Sequence, residues 1–423
     1  MNYSILKKYN ISNIQLSLGL FIASLPLPFA FINITFGLFV ISCILSYKSL
    51  QFKSNMALWL QIIYFIICAI SLIFTVDTQE TLKYLSKGIF FLLLPFSFLF
   101  IPKFEKKERD QIFDISSYTM TLVSIIYLIN AAINYFQTGN INHFFYHDLV
   151  TLDVNAIYVS LFVAMAFIHL LLKQRKKKFE YLLLLILFSF LILLSSKNVI
   201  IITCLATVFF GFRMIKFKPK KKIILPILLI LLCTIPLSQK IYERFQLEFT
   251  NTTENTIIED GVINVSIQNA WNQEKFSPNY YFNGTAFRVY QTRIFNEIMQ
   301  EDERYFTGYG AAAVQNKITN KIIDDDLPEY YTELNFHNQY LQSFSTLGVL
   351  GFIILVLMHI SNGIKSIQFK DSYFLFFTIL TISIMFTESL FERQRGIVFF
   401  IIFFCIFHQL KCTKPKLSTN NSN

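Results

Sequence analysis

The chain has 423 residues, 54% of them hydrophobic and only 15% charged, with a mean hydropathy of +0.49. That composition excludes a soluble protein. It also excludes a transmembrane barrel, because the apolar runs are continuous and repeatedly exceed the roughly 18 residues that cross a bilayer. The net charge of +10 does not mark a nucleic-acid binder, since the basic runs "KQRKKK" (173–178) and "RMIKFKPKKK" (213–222) directly abut apolar spans, as cytoplasmic loops do.

Hydropathy predicts an all-α, polytopic helical membrane protein of about twelve transmembrane helices. The spans fall near 13–28, 30–47, 56–75, 85–102, 112–136, 154–172, 180–196, 198–214, 223–238, 338–360, 372–389 and 395–410. Only "PLPF" separates the first two, and the first also resembles a signal peptide, with Lys7 and Lys8 ahead of an apolar stretch. On this scheme the cytoplasmic connections carry 24 of the 37 Lys and Arg residues, and each of them is basic. The bias puts both termini in the cytoplasm. The chain therefore divides into an N-terminal bundle of about nine spans (1–238), a large extracytoplasmic loop (239–336), about three C-terminal spans (337–410) and a cytoplasmic tail (411–423).

The loop 239–336 breaks the rhythm, with 15 Asp and Glu against 8 Lys and Arg. It is too long for an ordinary connection, which makes it functional or disordered. Its first part is rich in Asn and Thr. Its second part, "TAFRVYQTRIFNEIMQ", predicts an amphipathic helix with Phe287, Tyr290, Ile294 and Ile298 on one face, followed by a "TGYG" turn. The six cysteines lie in spans or in the basic tail, so neither a disulfide framework nor a thiolate metal site is predicted. No metal site or cofactor is expected: His143 and His147 stand beside Asp148 and Asp153, but a full ligand set at metal spacing is missing.

Polar residues gather at the outer ends of the spans. They are Lys197 in "LLSSKNVII", Arg288 and Arg293 in "FRVYQTR", His337, Asn338 and Tyr340 in "FHNQY", and Glu388, Glu392, Arg393 and Arg395 in "ESLFERQRG". Each has a plain reading beside a functional one. Lys197 is an interfacial snorkelling lysine or the one charge placed in a tight outer turn. Arg288 and Arg293 balance an acidic loop or grip an anion. Glu388 and Arg393 pair with each other or face a substrate. Gly348 and Gly351 read as a close-packing step between helices.

In combination, Arg288, then "TGYG" (307–310), then "FHNQYLQSFSTLGVLGF" resembles the O-antigen ligase and polymerase family. The family's arginine, Gly-x-Gly turn, His-Asn pair and Gly-x-x-Gly step fall on Arg288, Gly308 and Gly310, His337 and Asn338, and Gly348 and Gly351. In "LLSSKNVI", Lys197 stands where the family usually has arginine, a point charge in place of a bidentate guanidinium. The resemblance covers 180–410 well and the first spans by topology only.

The resemblance implies an inner-membrane glycosyltransferase of lipopolysaccharide biosynthesis with its site on the periplasmic side. It would move a glycan from a polyprenyl (undecaprenyl) diphosphate carrier to an acceptor hydroxyl, lipid A-core for a ligase. His337 would be the general base, with Arg288 and Lys197 stabilising the departing diphosphate without a metal. Asn338, Tyr340, Arg293, Gly308, Gly310, His147, Glu388 and Arg393 are the substrate-binding candidates. A glycan-repeat acceptor (polymerase) or a protein hydroxyl (oligosaccharyltransferase) is the alternative, and the short second outer loop, 137–153, favours the ligase. A transporter or lipid flippase, the reading from another class, would place its charges near the bilayer midplane, where few are found.

Overall fold

The computed structural model describes residues 12–152, 154–215, 254–257 and 261–411. Helices α1 (Asn13–Ala23), α2 (Phe29–Leu45) and α3 (Met56–Ile70) open the bundle. Ser12 and Gln15 cap α1 reciprocally, and the Asn55 side chain caps α3 by accepting from Ala57 N. The amphipathic α4 (Thr78–Gly88), capped by Asp77, runs almost directly into the apolar α5 (Phe90–Phe98). Next come α6 (Lys106–Thr138), the short α7 (Tyr146–Leu149), α8 (Ala156–Leu172), α9 (Lys178–Leu193) and α10 (Lys197–Ile215). At 33 residues α6 is about 50 Å long, more than a bilayer core, and it stops at left-handed Gly139.

Every predicted span within the described residues contains a helix, and the span at 223–238 lies outside them. Three helical stretches, Met56–Ile73, Lys106–Thr138 and Gln339–Gln368, are long and apolar enough to cross a membrane by length and composition, and shorter apolar helices surround them. The span expected at 85–102 differs, because the first turns of that run belong to α4, whose Lys83 and Lys87 are exposed.

The second part of the large loop folds as a cap. Strand β1 (Thr256–Ile257) pairs antiparallel with β2 (Ile263–Asn264), which pairs parallel with β3 (Tyr280–Tyr281). Around them lie α11 (Ile267–Asn272), α12 (Gly284–Asp302) and α13 (Gln315–Asp324). The predicted apolar face of α12 is realised: Phe287, Tyr290, Ile294 and Ile298 are buried in a core of the cap's own with Phe276, Phe282, Tyr309 and Ile318. The chain ends in α14 (Gln339–Gln368), α15 (Ser372–Met385) and α16 (Gln394–His408).

Backbone contacts sort the connections into two faces. On one, Asn55 Nδ2 donates to His408 O (3.2 Å), Phe104 N to Gln409 O (2.8 Å), and Arg109 pairs with Asp371. On the other, Val76 N donates to Tyr309 O (3.0 Å) and Arg395 Nη2 to Leu27 O (2.8 Å). This is the alternation expected of a polytopic bundle.

The largest departure from expectation is in α14. A straight helix would hold Tyr340 and His359 about 28 Å apart, 19 residues at 1.5 Å each. Their ring centroids are 5.9 Å apart. Gly348 (φ 65°, ψ −163°) breaks the helix and turns 339–347 back along the segment that follows. The single straight span predicted over 338–360 is therefore a bent hairpin, and Gly348 is its bend, not a packing step.

Such a break strands helix-end amides and carbonyls among apolar neighbours, where each unsatisfied group costs several kcal/mol. The turn 305–310 supplies the partners: Tyr309 N donates to Ser345 O (2.8 Å), Gly310 N to Thr346 O (2.9 Å), and Val349 N to Tyr305 O (2.8 Å). The approach leaves no room for side chains. A Cβ on Gly308 would lie 2.5 Å from Thr346 O, one on Gly310 2.5 Å from Thr75 Cβ, and one on Gly348 2.8 Å from Tyr305 O and closer still to Phe306 O.

Gly348→Ala is expected to lower the thermal midpoint of the detergent-solubilised protein sharply, since it combines a left-handed backbone with a clash. Gly363→Ala, in the same helix with nothing within 4 Å, should leave it unchanged or raise it. Equal midpoints for the two variants would show that the clasp does not hold the fold together.

Candidate functional site

Three segments meet where the fold-back begins. The first is the turn before α14. The Asn335 side chain accepts from His337 N (2.9 Å) and holds His337 at φ 46°, a left-handed conformation that L residues rarely take. Asn338 is the N-cap, its side chain accepting from Tyr340 N (3.0 Å) and Leu341 N (3.2 Å). His337 thus stands just ahead of the helix instead of opening it. The second segment is α12, begun by the Asn283 cap, which presents Arg288 one turn in. The third is the loop 386–393 between α15 and α16, which carries Thr387 and Glu388.

Glu388, 13% exposed, joins the other two. Its Oε2 lies 3.5 Å from His337 Nδ1 and its Oε1 3.6 Å from Arg288 Nη2. Arg288 also donates to Thr387 O from Nε (3.1 Å) and Nη2 (2.9 Å), and to Gly284 O from Nη1 (2.7 Å). The Phe287 ring meets the imidazole edge-on at 6.0 Å. A carboxylate facing Nδ1 favours the tautomer with its proton there, which leaves Nε2 of the neutral ring as a proton acceptor. The partner of Glu388 is thus the Arg288–His337 pair and not Arg393, which lies exposed at the loop's end.

Lys197 is the first residue of α10 and half-buried. Its neighbour Asn198 donates to Thr387 Oγ1 (3.0 Å) and Ser383 O (2.9 Å). Lys197 and Arg288 therefore sit on elements that converge on the same residue, Thr387.

Other expected site residues are placed differently. Arg293 is spent inside the cap: it pairs with Asp325 and with Glu297 (3.1 Å), donates to Gln273 O and lies over Tyr290 (4.9 Å). Only 9% of its side chain is exposed, and although its Nε makes no hydrogen bond, these contacts tie Arg293 to the cap. Gly308 and Gly310 are clasp residues whose open sides are filled by Thr346 and Thr75. The Tyr340 hydroxyl donates to Ile382 O (3.2 Å), and its ring lies tilted against Phe386 (4.6 Å). His147, exposed on α7, rests against the ring of Tyr146 (3.9 Å), and its short helix packs on α6 and α8.

Glu392, in the same loop as Glu388, was not singled out for a role by its sequence. Burial pushes its carboxyl up to about 7, against the opposing pull of Lys87, a Gln342 hydrogen bond and Arg393. Only the fold could reveal this, because Lys87, Gln342 and Glu392 are far apart in the chain. Among the described residues no group of three or more His, Cys, Asp or Glu could hold a metal ion.

A buried helical bundle, a cap folded over one face, and an arginine–glutamate–histidine cluster beneath that cap define a polytopic membrane protein with a recessed polar site. Residues 182–356 match the family model described as O-Antigen ligase. Over that stretch, somewhat under half of the chain, the protein is similar to O-antigen ligases, a family of ligases and polymerases acting on glycans. The matched stretch holds Lys197, Arg288, His337 and all the clasp glycines, but stops short of Glu388 and Glu392. A comparison with curated proteins gives no match.

A carboxyl whose folded-state value lies near 7, above the unfolded value near 4.5, holds its proton more firmly in the folded state. Its contribution to stability is therefore greatest below about 4.5 and is lost as pH rises through about 7. Between pH 5 and pH 8 the thermal midpoint of the wild type should fall further than that of Glu392→Gln. Parallel curves would remove Glu392 from the titration.

Proposed function

We propose that the protein is an O-antigen ligase-type glycosyltransferase of the bacterial inner membrane. It transfers a glycan from polyprenyl diphosphate to an acceptor hydroxyl, that of lipid A-core, on the periplasmic side, with both termini cytoplasmic. The observation that carries the reading is the Glu388 carboxylate facing His337 Nδ1 while also reaching Arg288, inside a chain whose central segment matches the ligase family.

The acceptor oxygen attacks the anomeric carbon, and its proton passes to His337 Nε2. The bond from that carbon to the diphosphate oxygen breaks on the opposite face, so the configuration inverts and polyprenyl diphosphate leaves. Glu388 orients the ring and stabilises the imidazolium that forms, the part a carboxylate takes beside a catalytic histidine elsewhere. A diphosphate is already a good leaving group. The remaining demand is for fixed positive charge where negative charge accumulates, and Arg288 and Lys197 meet it.

An apolar cavity of about 210 Å³ between α12 and α14, lined by Phe295, Met299, Leu341, Phe344 and Phe352, supports a donor with an isoprenoid tail. The alternative acceptors, a second lipid-linked repeat or a protein hydroxyl, use the same chemistry. The short outer segment after α6, holding only α7 and a 3-10 turn, gives little room for a second substrate-binding loop and favours the ligase.

With purified protein, lipid-linked glycan and lipid A-core, His337→Ala should reduce transfer at least about a thousandfold, and Glu388→Gln by about 10²-fold or more. Both variants should keep the wild-type thermal midpoint within a few degrees, and EDTA should have no effect. Full transfer by the histidine variant would eliminate it as the base. Transfer only to another lipid-linked repeat would make the protein a polymerase.

A further inference from the structure

Beside the Arg288–Glu388–His337 cluster lies a second polar group that the transfer chemistry does not use. On the inward face of the fold-back, Gln339 Nε2 donates to Ser343 Oγ (2.9 Å), Phe391 N donates to Gln339 Oε1 (2.6 Å), and Ser343 Oγ meets Tyr64 OH (3.3 Å). The side chains of Gln339 and Ser343 are thus engaged. Gln342, one turn along, is 2% exposed, and among the described residues its Oε1 has no hydrogen-bond partner. Its side chain faces the Glu392 carboxyl and is one of the groups that favour its charged form. A buried amide carbonyl with no partner in the protein needs an external donor. Water or a ligand hydroxyl would satisfy it.

Position and surroundings favour a ligand. Gln342 N donates to Asn338 O (2.9 Å), so the two residues are one helical turn apart, about 6 Å along the axis, roughly the width of a sugar ring. Glu392 follows Glu388 by four residues in the same loop. Phe391, which precedes Glu392 in the chain and donates to Gln339, packs edge-on against Phe91 (4.9 Å) and Tyr64 (5.8 Å). Hydrogen-bond acceptors near aromatic rings suit a neutral ligand that brings hydroxyl donors and apolar C–H faces. The exposed Lys87 and Arg393 offset the Glu392 charge.

We propose that Gln342 and Glu392 form a sugar-binding subsite, in which hydroxyls of the lipid-linked glycan donate to Gln342 Oε1 and the Glu392 carboxyl, one helical turn beyond Asn338. This rests on the donor reading given above. It concerns the donor because every candidate acceptor requires a glycan donor, whereas the acceptors differ among themselves.

The test is binding of two carriers to the full-length protein in nanodiscs: polyprenyl diphosphate bearing the glycan, and the same lipid diphosphate without sugar. Gln342→Leu keeps the side-chain volume and removes the unpartnered carbonyl. It should weaken binding of the glycan-bearing carrier about tenfold, leave the bare carrier unchanged and not lower the thermal midpoint. Glu392→Leu, a second route should the first variant not fold, should show the same split. Unchanged binding of the glycan carrier would reduce Gln342 Oε1 to a water site and overturn the subsite. Equal losses for both carriers would overturn it too, by placing the contact at the diphosphate. A wild-type protein that binds neither carrier would overturn the donor reading itself, and the subsite with it.

Discussion

The break at Gly348 is the constraint on which the site depends. Without it, His337 and Asn338 would stand at the far end of a straight helix, beyond the loop that carries Glu388. With it, the nine-residue segment before the bend runs back beside its own continuation, close enough that Ser343 O lies 2.8 Å from where a Cβ on Gly351 would be. The bend is tolerated because the amides of Tyr309 and Gly310 and the carbonyl of Tyr305 meet the groups it strands. The cap is therefore more than a lid. Its glycine turn completes the backbone of a membrane helix, so folding the cap and placing the histidine are one event.

A single carboxylate then organises the polar cluster. Glu388 reaches the histidine ring on one side and the guanidinium on the other, while Thr387 O takes two of the guanidinium's hydrogen bonds. Arg288 is thus a held cation, partly balanced, with 33% of its side chain still exposed. Fixing it beforehand lowers the reorganisation needed when charge develops nearby, which is where such groups gain most. The cost is that Glu388 offsets part of the positive field. In the proposed transfer, that leaves more of the positive field to be supplied by Lys197.

Much of this was legible from residues alone, for reasons specific to each. Span positions follow from apolar runs that few other structures tolerate, and the buried face of α12 was readable because Phe287, Tyr290, Ile294 and Ile298 recur at helical spacing. The fold-back was not legible. Glycine inside an apolar run looks the same whether it packs against a neighbour or takes a positive φ, and the two amides and one carbonyl that stabilise the bend belong to residues some forty positions earlier. Glu388 was visible as a polar residue at a span end, but Arg393 in the same short loop is the nearer candidate in sequence. Only the packing of α12 over the α15–α16 loop decides for Arg288 and His337. The Arg293 ion pair was not legible either: the residue lies on the cap helix five residues from Arg288, and its partner Asp325, at the end of α13, is brought up by folding.

Lys197 in place of an arginine is consistent with this arrangement. A cation in the first turn of a helix opposes the macrodipole by about 0.3–1 kcal/mol, so α10 gains nothing from the lysine as a helix residue. The stability of that end comes from Asn198, whose side chain donates to Ser383 O and Thr387 Oγ1 and accepts from Ser383 Oγ (2.6 Å). These bonds fix the backbone that bears Lys197 relative to the loop that bears Glu388. Arginine achieves precision through its own planar fork, whereas lysine is a flexible point charge and must borrow precision from what holds its backbone. Here the neighbouring asparagine supplies it, and the same Thr387 that anchors Arg288 anchors the element carrying the lysine.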